Sequence, residues 1–172
     1  MRGMPEMETQ PPTIELMSHS EAETIALGRR LGALLRPGDV VLLYAPLGAG
    51  KTQLTKGIAA AFGVDQAEVS SPTFVLINAY ESDREHRRMP IYHVDLYRVE
   101  TPDELATVGL DDVLDGDGVA IVEWAERAEG LLPRDGVAID IEYLGPTERR
   151  FRLTGRGARG RAIVERLRGD MV

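Results

Sequence analysis

The residues with the most chemical potential stand together in LGAGKT, where Gly48, Gly50, Lys51 and Thr52 follow an apolar run. Glycines at 48 and 50 let main-chain N–H groups turn inward around an anion where a Cβ would obstruct them. A helix starting at this point adds a partial positive charge of about half an elementary charge. Lys51 can reach the outer phosphates of a nucleotide, and the Thr52 hydroxyl can ligate Mg²⁺. The full pattern is G-x-x-x-x-G-K-[ST], with Ala45 in place of the first glycine. Ala45 is therefore expected to hold a backbone angle that glycine tolerates better.

A phosphate cradle needs further groups to hold a metal and to place water. Asp95 follows the apolar run IYHV, and Glu123 follows VAIV. Each carboxylate would stand at the end of a strand. Thr73, in the loop SSPT, offers a hydroxyl that a γ-phosphate and Mg²⁺ could order, as they order switch loops. Magnesium prefers six oxygens at about 2.0–2.1 Å and retains several waters. Thr52, one carboxylate and two phosphate oxygens nearly complete its shell, which frees the other carboxylate to orient or deprotonate water. Which of the two does which stays open. Asp95 also has a plain alternative role, capping backbone N–H groups in a turn. Trp124 reads as core or interface, and His93 as a packed, hydrogen-bonded histidine. His19, His86 and His93 lack any metal-ligand spacing.

These residues need a scaffold. Residues 39–63 read as strand, loop and helix, with Val40–Tyr44 as the strand and Leu54, Ile58, Ala59 and Phe62 on the apolar side of the helix. Upstream, 13–17 is a short strand, and Ser20–Glu23 is a capping box opening a helix that carries Ile25, Leu27, Leu31, Leu34 and Leu35. Downstream, strands are expected over 74–80, 91–98 and 118–124, with Thr101-Pro102 starting a short helix. Residues 137–143 and 149–153 read as a hairpin, and 158–168 as a last helix. Helices alternating with strands early, and strands following one another late, give an α/β fold. It is a three-layer, P-loop NTPase-like arrangement whose mixed sheet has a parallel core and C-terminal antiparallel strands. The site belongs beyond the carboxyl ends of the parallel strands.

One folded domain is expected, a P-loop domain over 13–155, flanked by a disordered arm over 1–12 and an arginine-rich helix or tail over 156–172. The chain has no cysteine, which excludes disulfides and thiolate chemistry. No apolar run reaches the roughly 18 residues of a membrane span, and the start has no secretory h-region. A cytoplasmic setting is expected. A net charge of −8 argues against nucleic-acid binding over the whole surface. Arginines crowd 149–168, however, either as a solvated face or as a patch for RNA or an acidic partner.

Taken in order, LGAGKT, SPTF, YHVDLYR, VGLDD and VEW resemble the TsaE (YjeE) family over residues 20–154. SPTF and HxDLYR are far more specific than the glycine-rich turn alone. The resemblance implies a weak ATPase using ATP and Mg²⁺, an accessory subunit in threonylcarbamoyladenosine modification of the tRNA adenosine next to the anticodon. Its implied partners are a transferase subunit and its inactive paralogue, of TsaD and TsaB type, with tRNA engaged indirectly and no membrane. By motif, the loop from Leu47 through Gly48, Ala49, Gly50, Lys51 and Thr52 binds phosphates, and SPTF with Thr73 is a switch loop. Asp95 and Glu123 are the metal and water carboxylates, with Thr52 on the metal, and Trp124 lies in a second mobile segment. Arg149 falls where the family places a basic residue near the nucleotide. Ala45 and Pro46 depart from the family's usual glycine and acidic residue. A different class of function, a small-molecule kinase, would need an acceptor pocket and an arginine-bearing lid, whereas the basic residues here lie in a short loop (Arg84, Arg87, Arg88) and the tail.

Overall fold

The computed structural model describes residues 9–46, 48–72, 76–83, 89–107 and 109–171. Seven strands form one sheet: β1 (Thr13–Ser18), β2 (Val40–Tyr44), β3 (Ile77–Ser82), β4 (Met89–Asp95), β5 (Val119–Glu123), β6 (Gly136–Tyr143) and β7 (Arg149–Arg156). The helices are α1 (Glu21–Leu34), α2 (Lys51–Ala60), α3 (Pro102–Thr107), α4 (Leu110–Leu114) and α5 (Gly157–Gly169). The sheet order is β1-β7-β6-β2-β5-β4-β3. Strands β6, β2, β5 and β4 run parallel, while β7 and β1 on one side and β3 on the other are antiparallel to their neighbours. This is the mixed sheet expected, with two refinements. The 137–143 strand does more than form a hairpin, since β6 lies parallel to the central β2. The strand expected over 74–80 begins at Ile77 and continues to Ser82; residues 73–75 lie outside the described set.

Helices cover both faces of the parallel core, so its central strands β2 and β5 read as nearly unbroken apolar runs. In β2, Val41 and Leu43 face one core with Leu31, Leu54, Ile58 and Phe151. Val40 and Leu42 face the other with Leu96, Leu105 and Leu110. The first core lies beneath α1, α2 and α5, and the second beneath α3 and α4.

Ser20 caps α1 by accepting the Glu23 N–H at 3.1 Å. The reciprocal bond of a capping box is shifted by one residue, because the Glu23 carboxylate takes the His19 N–H at 2.7 Å. Helix α1 crosses α2 closely at Gly28 and Gly57, where a Cβ on Gly57 would fall 2.8 Å from the Gly28 Cα. Helix α5 buries Ile163, Val164 and Leu167. It is also fastened to the base of β2, where Arg159 donates to Asp39 at 2.9 Å from both Nε and Nη2. Other arginines of the basic C-terminal stretch are engaged as well. Arg150 pairs with Glu142 and Arg152 with Glu15, while Arg161 and Arg168 bond the Thr9 and Thr13 carbonyls. No helix among the described residues is long and apolar enough to cross a membrane.

Candidate nucleotide site

Three segments end at the carboxyl edge of the parallel strands. Gly48 and Gly50 stand between β2 and α2, whose first residue is Lys51. Gly48 and Gly50 take φ of +77° and +99°, a region costly for other residues. Ala45 does not share it: among the described residues Trp124 is the one non-glycine with positive φ. The strain expected at Ala45 is therefore absent; the residue follows directly on β2 and is buried in the core with Leu43 and Ala49. Leu47 and Thr73 lie outside the described residues, as do Arg84, Arg87 and Arg88.

Strands β4 and β5 deliver the acids. Asp95 and Glu123 are register partners on adjacent parallel strands, so they project to the same face. Two residues back, Ile121 belongs to the core shared with Leu54 and Ile58, which identifies that face as the one bearing α2. A cavity of about 570 Å³ is lined in common by Gly48, Gly50, Lys51, Thr52, Asp95, Glu123, Trp124 and Arg149. A second hollow, about 910 Å³, opens at the other end of the sheet, but its Arg159 is already paired with Asp39.

Lys51 is 7% exposed. Its ammonium donates to the carbonyls of Ala45 at 2.9 Å and Pro46 at 3.4 Å, and lies 4.0 Å from the Trp124 ring centroid. Burial holds its pKa below the ordinary lysine value, against the pull of Glu123, Asp95 and Glu126. Burial also raises Asp95 above the ordinary carboxylate value, and the Glu123 charge adds to this; the Tyr97 N–H bonded to Asp95 works the other way. That N–H reaches Asp95 Oδ1 at 2.9 Å, so the turn-capping role and a place on the cavity wall coexist. Trp124, at φ +57°, also packs its ring 5.0 Å from that of Tyr97. An aromatic residue held in this region costs about 1–3 kcal/mol and occurs mostly at working sites.

Two contacts had no local signature in the sequence. The Thr52 hydroxyl shares a 2.9 Å hydrogen bond with Ser71, from the loop that also carries Thr73. Arg149 spans from the β6–β7 turn to the glycine-rich loop, with Nε 3.0 Å from the Ala49 carbonyl and Nη1 2.6 Å from that of Gly145. Its guanidinium also lies 4.4 Å from the Tyr143 ring centroid. Ser20, read only as a helix-start residue, and its neighbour Thr24 form part of the cavity wall.

The donor set suits a magnesium–nucleotide pair. A nearly buried ammonium stands on the cavity wall beside two loop glycines of positive φ, a combination that suits an anion. No three His, Cys, Asp or Glu side chains converge as a metal cage among the described residues. Two carboxylates and a hydroxyl instead leave room for phosphate oxygens and water, the division magnesium favours.

The model of the threonylcarbamoyl adenosine biosynthesis protein TsaE family matches residues 18–151. The chain belongs to the TsaE family. Among its relatives is the tRNA threonylcarbamoyladenosine biosynthesis protein TsaE of Bacillus subtilis strain 168, 41% identical over 84% of this chain and 87% of the relative. The protein of the same name from Streptomyces coelicolor is 42% identical over 77% of this chain and 90% of its own length. The crystal structure of Bacillus subtilis YdiB superposes with a TM-score of 0.77 at 31% identity, covering 96% of this chain and all of that one.

Proposed function

We propose that this chain is an ATPase whose nucleotide cycle serves, as an accessory subunit, the threonylcarbamoyladenosine modification of tRNA. One observation carries the reading: a single cavity faces the buried Lys51 and the start of α2 toward two carboxylates on adjacent strands. The N–H groups of the loop through Gly48, Ala49 and Gly50, with Lys51, bind the phosphates. Thr52 and one of Asp95 and Glu123 hold magnesium, and the other carboxylate aligns the attacking water. When bound, magnesium supplies charge neutralisation at the transferred phosphoryl group. Arg149 braces the loop from the side. The relatives' names support the tRNA pathway; docking on a transferase subunit and its inactive paralogue, in a cytoplasmic setting, belongs to the same proposal.

The test starts with Lys51→Ala. A charge-assisted hydrogen bond contributes about 1.5–3 kcal/mol, so ATP affinity measured by calorimetry should fall about 10- to 100-fold. Phosphate release is then followed with the chain alone and with the transferase pair and tRNA, where the variant should stop repeated rounds of modification. Native ATP affinity in Lys51→Ala would overturn the proposal.

A further inference from the structure

His93 stands two residues before Asp95 in β4, on the same face, and pairs in register with Ile121, two residues before Glu123. The histidine is 0% exposed and Glu123 is 2% exposed. Its Nε2 lies 3.2 Å from Glu123 Oε1. The contact is close but not aligned: neither ring nitrogen of His93, nor Glu123 Oε1, completes a hydrogen bond to any described residue. Native cores seldom leave such atoms unpaired. The neighbouring positions on this face hold Ile91 and Ile121, so an aliphatic side chain would fill the place without orphaned nitrogens. Hydrogen bonds in working sites are often long or misaligned until the ligand arrives.

We propose that His93 is the positioning residue for Glu123: its imidazole grips Oε1 from within the sheet and presents the carboxylate's other oxygen to the cavity. Strand β4 thereby governs both acids, carrying Asp95 itself and steadying Glu123 from two residues behind. This rests on the reading of Glu123 as one of the site's two working carboxylates.

The test compares full-length His93→Ala, His93→Gln and Glu123→Gln. Steady-state ATP hydrolysis gives kcat and KM, calorimetry gives nucleotide affinity with and without Mg²⁺, and thermal unfolding reports folding. His93→Ala should lower kcat about 10- to 100-fold, the usual loss when support behind a metal-site ligand is removed. Metal-free nucleotide affinity should stay at the native value, while the gain in affinity on adding Mg²⁺ shrinks. His93→Gln should recover most of kcat, because its amide N–H₂ reaches the place of Nε2. In a Glu123→Gln background, His93→Ala should have no further effect. The proposal is overturned if both His93 variants keep native kcat and Mg²⁺ dependence. It is also overturned if both lose activity equally and in step with their melting temperatures, which would mark a packing role alone. Native turnover and Mg²⁺ dependence in Glu123→Gln would overturn the prior reading of Glu123 itself.

Discussion

The crossing of α1 over α2 puts a sharp demand on Gly57. A Cβ there would lie 2.8 Å from the Gly28 Cα, where ordinary contact begins at 3.4 Å, so the backbones must part by at least 0.6 Å. The Ile25 carbonyl oxygen would be nearer still. No rotamer change relieves a clash between backbones. Overpacking of this kind costs typically 1–3 kcal/mol, occasionally more. Alanine's better helix propensity returns about 1 kcal/mol. Placed at or above the upper end of the overpacking range, Gly57→Ala should be destabilised by about 2 kcal/mol or more. For a chain of this size that lowers Tm by about 4–8 °C. Gly169→Ala is the control, since a Cβ there meets nothing within 4 Å; its Tm should match or slightly exceed the native value. Differential scanning calorimetry of the two variants provides the measurement. A Gly57→Ala protein melting at or above the native temperature would refute the reasoning. It would mean that the helices separate without cost.

Two further outcomes follow from the site. Burial raises the Asp95 pKa in the folded chain, so its contribution is favourable below the ordinary carboxylate value of 3.8 and is lost as pH rises through the folded value. At neutral pH the nucleotide-free protein therefore carries a penalty that Asp95→Asn removes, while the amide oxygen still accepts the Tyr97 N–H. This variant should melt higher than native at pH 7, with the gap closing in the acid range; an equal or lower Tm at pH 7 would contradict the sign. Arg149→Ala cuts the tie between the β6–β7 turn and the loop carbonyls. ADP affinity should fall by up to about tenfold, as the loop must be ordered without the guanidinium that braces it. Arg149→Lys should restore little, because one ammonium cannot span both carbonyls; full recovery with lysine would argue for simple charge.

Much was legible in the chain because it is local. The run from Val40 to Phe62 encodes strand, turn and helix in consecutive residues, and the acids at 95 and 123 each end an apolar strand. Period-two and 3.6-residue patterns therefore located the sheet, the helices and the edge where Lys51, Asp95 and Glu123 meet. Other features depend on which strands become neighbours. Nothing near His93 indicates that β5 will bring Glu123 to 3.2 Å. Nor does the sequence around residue 149 reveal that β6 will insert beside β2 and aim an arginine at the loop. The Ser71–Thr52 bond, the positive φ of Trp124 and the Gly28–Gly57 crossing belong to the same class. Propensity and periodicity act over a few residues. Strand order, register and helix crossing are selected by burial across the whole sheet, so only the tertiary structure decides them.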